Sequence, residues 1–170
     1  ANDAQFRKLC AHIARPELYE AADELGMLVW QDFPLQWGYA RTIRREAVRQ
    51  AREAVDLLGH HPSIAVWCAH NEPVMAHDSR GAALGSSIVR NVLQQQRPTW
   101  NRTILDRWVK RAFETADETR TTIAHSGVAP HLPQLDGTDS HLFFGWYHGE
   151  GADVDGFAAS LPRMVRFVSE

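Results

Sequence analysis

The chain has 170 residues, of which 44% are hydrophobic and 23% charged, the composition of a globular protein rather than a disordered one. Its formal net charge is −3, from 18 basic and 21 acidic residues without a basic block. This balance argues against nucleic acid or an anionic membrane surface as a partner. No run of about 18 apolar residues is present to cross a bilayer. A small neutral substrate fits the composition better.

Helices and strands alternate from the beginning of the chain. A lead strand is predicted at about Arg7 to His12. A helix is predicted over residues 16–25, from a proline at its first position and a glycine after its end. The unbroken apolar run Met27 to Trp30 is typical of a strand buried on both faces, and it gives way to polar residues at Gln31 and Asp32.

The same helix–strand unit recurs along the rest of the chain. The remaining predicted elements are, in order, a helix over 43–58 capped by Gly59, a strand at Ser63 to Ala69, a helix over 104–116, a strand at Thr121 to Ala124, a strand at His141 to Gly145, a short helix around Phe157 to Leu161 and a strand at Val165 to Val168. Residues 74–99 predict a long irregular insertion.

This alternation predicts an α/β fold with a parallel sheet, either open and doubly wound or closed as a (β/α)8 barrel. Polar or aromatic residues follow the predicted strands at their carboxyl ends, where both architectures build their sites. Six strands are predicted rather than eight, and a six-stranded barrel would leave two open edges. We therefore expect the chain to be a fragment of such a domain.

Two carboxylates at predicted strand ends, Glu72 and Glu170, suit the hydrolysis of glycosides. A retaining mechanism needs one carboxylic acid to protonate the leaving oxygen and one carboxylate to attack the anomeric carbon. The distance between them in sequence is no obstacle, because strand ends converge around a barrel rim. Spacing alone leaves open that each glutamate is a solvated loop residue.

Three local strings resemble glycoside hydrolase family 2. The stretch from His61 to Glu72, HPSIAVWCAHNE, resembles the acid/base segment of that family. The stretch from Leu18 to Phe33 ends in Trp-Gln-Asp-Phe, which is similar to the β-mannosidase branch. The stretch from Arg166 to Glu170, RFVSE, resembles the strand that carries the nucleophile.

The resemblance implies a retaining exo-β-glycosidase that cleaves terminal β-linked sugars, with β-mannosides as the first expectation. Glu72 would be the acid/base after barrel strand four, and Glu170 the nucleophile at the end of strand seven. The chain, residues 1–170, would then supply strands 2 to 7 of an incomplete TIM barrel. Strands 1 and 8 and the flanking β-sandwich domains would lie outside it. Neither a cofactor nor a metal ion is implied.

The resemblance also implies a carbohydrate-binding set around the two glutamates. Asn71 matches the asparagine that binds the sugar 2-hydroxyl, although an asparagine that closes a turn is equally compatible with its spacing. Asp32 would bind sugar hydroxyls, or else cap a helix. Trp146 and Tyr147 are candidates for an aromatic wall, beside Phe143 and Phe144, and core packing is the alternative for at least two of these four rings. His12 occupies the place of a site histidine after strand two.

The sequence is also compatible with other functions. Many β-mannosidases have Gly-Asn where this chain has Ala69 and His70, which leaves exo-β-glucosaminidase, β-galactosidase or β-glucuronidase specificity as alternatives. Nine histidines also permit a metal-dependent hydrolase on the same barrel, although no His-x-His or His-Glu-x-x-His spacing is present. We expect the isolated chain to be a catalytically inert fragment even if the whole protein is an enzyme.

Overall fold

The structure is a computed structural model that describes residues 5–73, 96–128, 139–142, 150–160, 162, 165 and 167–169. The chain divides into two compact units. The first unit contains Ala1–Pro73 and Thr99–His125, and the second contains Val74–Pro98 and Ser126–Glu170.

The first unit alternates strands and helices throughout. Its elements are β1 (Phe6–Leu9), α1 (Pro16–Leu25), β2 (Leu28–Asp32), α2 (Arg44–Leu58), β3 (Ile64–Cys68), α3 (Asp106–Ala116) and β4 (Thr121–Ile123). A 3-10 turn at Arg41–Ile43 leads into α2, and a π-helical segment at Trp100–Leu105 leads into α3. The helix predicted over residues 16–25 and the three helix–strand units that follow one another are confirmed.

The four strands form one parallel sheet in the order β1-β2-β3-β4. Consecutive parallel strands joined by right-handed crossovers place their helices on one face of the sheet. A doubly wound sheet would reverse its strand order and use both faces. The described sheet is therefore wound in one direction, and its α/β class is the predicted one.

The hydrophobic core lies between the sheet and its helices. Val29 and Trp67 are fully buried on the helix-facing side. The Trp67 ring stacks on Phe113 of α3 at a centroid distance of 5.1 Å, and Phe113 meets Phe33 edge to face at 5.7 Å. Because side chains alternate along a strand, Trp30 and its neighbours two residues away face the opposite side of the sheet.

The start of β3 is anchored to the end of α1. The carboxylate of Asp23 accepts hydrogen bonds from the Ser63 backbone N–H at 2.9 Å and from Nδ1 of His61 at 2.7 Å. The guanidinium of Arg120 donates to the carbonyls of Ile64 and His61 at 2.7 and 3.0 Å. These contacts fix where β3 enters the sheet.

The lead strand is shorter than predicted. It ends at Leu9, not at His12, because the chain turns at Cys10 and Ala11 adopts a left-handed backbone with φ of 49°. The Ala11 N–H is then donated to the carboxylate of Asp32 at 3.2 Å instead of to a neighbouring strand.

The second unit contains α4 (Asp153–Ser160), which begins before the predicted stretch at Phe157, and the last predicted residue, Leu161, lies outside the described residues. The strand predicted at His141 to Gly145 is absent at its two described residues, and the rest lies outside the described ranges. The strand predicted at Val165 to Val168 is wrong for its described part, where Val165 lies in a turn. Val168 makes only an isolated parallel bridge to Ser140. Within the described ranges, no helix is long and apolar enough to cross a membrane.

We expect Phe113→Ala to lower the free energy of unfolding by about 3 to 5 kcal/mol, because it leaves a cavity between two buried rings. Trp108→Ala on the same helix is the matched control, since Trp108 is 44% exposed. Its loss should stay within about 1 kcal/mol. Urea unfolding of both variants measures the difference, and equal losses would contradict this description of the core.

Candidate active site

The carboxyl ends of β2 and β3 bring three of the predicted site residues to one edge of the sheet. Asp32 is the last residue of β2, and Asn71 and Glu72 follow β3. The pairing of the two strands continues past their ends, because the Asn71 N–H donates to the Leu35 carbonyl at 2.8 Å and Gln36 forms a parallel bridge with Asn71.

Asp32 is completely buried and ends a strand, so the helix-capping interpretation is wrong. Its carboxylate accepts hydrogen bonds from the indole N–H of Trp30 at 2.7 Å and from the Ala11 N–H at 3.2 Å. Nζ of Lys8 lies 3.7 Å from the same carboxylate, and the Lys8 side chain is only 6% exposed. Burial raises the pKa of the Asp32 carboxyl above its usual value, and the positive charge of Lys8 opposes that rise.

Asn71 is held by the same lysine. Its Oδ1 accepts a hydrogen bond from Nζ of Lys8 at 3.3 Å, and its Nδ2 donates to Sγ of Cys10 at 3.3 Å. Asn71 is fully buried. The sequence did not identify Lys8 or Cys10 as site residues. The one sequence feature that could have identified Lys8 is its position inside a strand of a parallel sheet, where side chains on both faces are usually apolar.

The carboxylate of Glu72 is hydrogen-bonded to a second loop of the same edge. Its Oε2 accepts from the indole N–H of Trp37 at 3.1 Å. The backbone N–H of Trp37 donates to the Asn71 carbonyl at 3.2 Å. Half of the Trp37 side chain is exposed. Glu72 is therefore a partly buried and oriented carboxylate, not a freely solvated loop residue.

Backbone strain is concentrated at this edge. Three described non-glycine residues have positive φ: Ala11 at 49°, Trp37 at 63° and Glu72 at 45°. They follow β1, β2 and β3 respectively. Each such conformation costs roughly 1 to 3 kcal/mol and persists only where its surroundings enforce it. Strain of this kind clusters at functional sites.

His70, between β3 and Asn71, is fully buried. Its Nε2–H donates to the Trp37 carbonyl at 3.0 Å. Desolvation lowers the pKa of His70 to about 4, and a charge on His125 acts in the same direction. His125 donates from Nδ1 to the carboxylate of Asp106 at 2.8 Å. His70 is thus a neutral imidazole at neutral pH.

His12 is exposed and is bonded mainly within its own loop. Its Nδ1–H donates to the Cys10 carbonyl at 2.9 Å, and its own carbonyl accepts from Nε2 of Gln31 at 2.7 Å. These contacts fix the loop after β1. A role of the His12 side chain in substrate binding stays a prediction.

The other predicted site residues, Glu170, Trp146 and Tyr147, lie outside the described residues, as do Phe143 and Phe144. Ser169, which precedes Glu170, is described. Its backbone N–H and its hydroxyl donate to the carboxylate of Asp139 at 2.9 and 2.5 Å.

Among the described residues, no group of three or more His, Cys, Asp or Glu side chains is arranged to hold a metal ion. The buried carboxylate of Asp32 has Lys8 as its counter-charge.

Comparison with known proteins confirms the resemblance to part of the catalytic domain of glycoside hydrolase family 2, in its β-mannosidase branch. No protein-family model matches the chain. The chain is 44% identical over 70 residues to β-mannosidase B of Thermothelomyces thermophilus, a match that covers 37% of this chain and 8% of that protein. It is 28% identical over 141 residues to the β-mannosidase of Bos taurus, covering 75% of this chain and 16% of that protein.

The fold resembles solved structures over nearly the whole chain. The β-D-mannosidase from Dictyoglomus thermophilum superposes with a TM-score of 0.66 at 20% identity, over 98% of this chain and 19% of that one. A β-glucuronidase from Parabacteroides merdae superposes with a TM-score of 0.63 at 18% identity, over 96% of this chain and 19% of that one. The chain thus spans less than a fifth of the length of either structure.

We expect Lys8→Met to lower the free energy of unfolding at pH 7 by about 3 kcal/mol, because it leaves the buried Asp32 carboxylate without its counter-charge. The Asp32 pKa should rise further, so the deficit shrinks in acid as Asp32 becomes protonated. Lys8→Met combined with Asp32→Asn removes both charges and should recover part of the loss. Denaturant unfolding at pH 7 and pH 4 tests this, and a deficit independent of pH would contradict it.

His70 should give the protein a pH-dependent stability of its own. Because its folded-state pKa lies below its unfolded value, the unfolded chain takes up the additional proton as pH falls from about 6.5 to about 4. Stability is therefore lost in that window, by up to about 3 kcal/mol. We expect His70→Gln to have a flatter stability profile than the unmodified protein between pH 7.5 and 4.5. Parallel profiles from urea unfolding would contradict this.

Proposed function

We propose that the protein containing this chain is a retaining exo-β-glycosidase that acts on terminal β-mannosides, with Glu72 as general acid/base and Glu170 as nucleophile. The observation that carries the proposal is the position of Glu72. It lies at the carboxyl end of β3, bonded to Trp37 and next to the buried Asn71. The similarity to enzymes named β-mannosidase supports the choice of sugar.

We also propose that β1 to β4 are consecutive strands of a (β/α)8 barrel, strands 2 to 5 in the barrel's own order. Their sequential parallel order and the likeness to solved β-glycosidases support this. Barrel strands 6 and 7 would come from the rest of this chain, and strands 1 and 8 and the β-sandwich domains from other parts of the protein. In such a barrel the site lies at the carboxyl ends of the strands, which is the edge that holds Asp32, Asn71 and Glu72.

In the first step, the Glu170 carboxylate would attack the anomeric carbon while protonated Glu72 gives its proton to the departing oxygen. The bond to the leaving group breaks and a glycosyl ester forms on Glu170. In the second step, Glu72 takes a proton from water, and the water oxygen displaces Glu170 with net retention. The hydrogen bond from the Trp37 indole would hold the Glu72 carboxylate in one orientation at this edge of the sheet.

Asn71 would contribute through the sugar 2-hydroxyl, a contact that strengthens as positive charge develops on the sugar ring. Its amide is already oriented by Lys8 and Cys10, so little reorganisation is required when a sugar binds. Asp32 would bind further hydroxyls. Its charge is matched by Lys8, and a neutral sugar disturbs that balance less than an acidic sugar would.

The test is hydrolysis of aryl β-mannoside, β-glucoside, β-galactoside, β-glucuronide and β-glucosaminide substrates by the full-length protein and its variants. We expect β-mannoside to be cleaved best. Glu72→Ala and Glu170→Ala should each lose at least about a hundredfold in kcat/KM. Glu118→Ala is the matched control, because Glu118 is an exposed glutamate outside the candidate site.

Azide separates the two roles. With Glu170→Ala, azide should attack directly and give the α-glycosyl azide, with inverted configuration. With Glu72→Ala and an activated leaving group, azide should intercept the glycosyl enzyme and give the β-azide. Wild-type rates in both variants would refute the two-glutamate mechanism. Preferential cleavage of another glycoside would keep the mechanism and replace the sugar.

A further inference from the structure

His70 is a buried polar side chain whose two ring nitrogens have unequal environments. Nε2–H donates to the Trp37 carbonyl at 3.0 Å. Nδ1 is buried and has no hydrogen-bond partner among the described residues. Burying an unpartnered polar atom costs roughly 1 to 3 kcal/mol. Since an apolar residue would avoid this cost, the single bond to Trp37 is the feature that favours histidine here.

The backbone of Trp37 depends on outside contacts. Its φ of 63° is unfavourable for a tryptophan, which has a bulky aromatic side chain. Its N–H is bonded to the Asn71 carbonyl and its carbonyl to His70, so the residue is held on both sides. Both anchors belong to the segment that ends in Glu72.

The indole of Trp37 also contacts the segment that ends in Glu72. Its N–H donates to Oε2 of Glu72 at 3.1 Å, while half of the side chain is exposed. An exposed ring has few packing contacts to fix its direction. The direction of the indole N–H therefore follows from the backbone conformation of Trp37, which His70 helps to hold.

We propose that His70 is a positioning residue for the acid/base: it fixes the Trp37 backbone, and through the Trp37 indole it fixes the carboxylate of Glu72. This inference rests on the proposed role of Glu72. His70 does not touch the substrate in this arrangement. It acts as a neutral imidazole with its proton on Nε2, the form that burial favours and that the Trp37 carbonyl requires.

The test uses leaving groups of different basicity on the sugar that the full-length protein cleaves. A poor leaving group such as an alkyl alcohol needs its proton from the acid, whereas dinitrophenolate departs without one. We expect His70→Phe, which keeps a ring but loses the donor, to lower kcat/KM, which reports the glycosylation step alone, about tenfold on the alkyl glycoside. On the dinitrophenyl glycoside the change should stay within about twofold. His70→Gln, which retains a donor of similar reach, should recover most of the alkyl glycoside rate.

A double-mutant cycle tests the route through Trp37. Trp37→Phe removes the indole N–H and should cause the same selective loss on the alkyl glycoside. If His70 acts through Trp37, adding His70→Phe to Trp37→Phe should cause less than a twofold further loss. Multiplicative losses in the double variant would overturn the proposal, as would equal losses on both substrates. His60→Gln, at an exposed histidine before β3, is the control and should keep both rates.

Folding and mechanism are separated by two further measurements. Thermal melting of each variant identifies loss of folded protein. If His70→Phe does not fold, His70→Leu replaces it in the cycle, and an unselective loss in a folded variant again overturns the inference. If Glu72→Ala itself leaves the alkyl glycoside rate unchanged, the proposed function fails. If only the His70 pattern is missing, the positioning role fails alone.

Discussion

The parallel pairing of β2 with β3 is the constraint on which the candidate site depends. It aligns Asp32 with Cys68 and continues as the bridge between Gln36 and Asn71. Because side chains alternate along a strand, a slip of one residue would turn Asp32 toward the helices. The bonds that hold the start of β3 to Asp23 prevent such a slip from the opposite end of the strand.

The string from His61 to Glu72 therefore has two physical roles. Its beginning is structural, because His61 and Ser63 bind the carboxylate of Asp23. Its end supplies the candidate site, where His70, Asn71 and Glu72 bond to the carbonyl, the backbone N–H and the indole N–H of Trp37 respectively. The apolar residues between them fill the core against α3. One short segment thus connects the packing of the sheet to the orientation of a carboxylate.

Local patterns predicted what depends on local structure. Pro16 and Gly26 set the limits of α1, and the apolar periodicity gave α2 and α3 to within a few residues. Asp32, Asn71 and Glu72 were expected at strand ends and lie there. The strand predicted from Val165 was wrong for its described part. A short apolar run does not distinguish a β-strand with several paired residues from a single isolated β-bridge.

What the sequence did not predict depends on cross-strand contacts. Lys8 reaches Asp32 and Asn71 only because three strands lie side by side in the sheet. The hydrogen bond between His70 and the Trp37 carbonyl depends on the left-handed backbone of Trp37. No sequence pattern predicts that conformation for a tryptophan. A Lys or His within an apolar stretch of sequence predicts that its buried side chain has a polar or charged partner. It does not predict which residue that partner is.

The strained residues Ala11, Trp37 and Glu72 have a consequence for heat inactivation. Their segments are held by hydrogen bonds, such as those from the Ala11 N–H to the Asp32 carboxylate and from the Trp37 N–H to the Asn71 carbonyl, whereas the sheet beneath them is held by a buried core. Local unfolding of these segments therefore requires less free energy than unfolding of the core. On warming, we expect the edge of the sheet to lose its geometry while the helices and strands are still intact, so that the proposed activity would be lost before the protein melts.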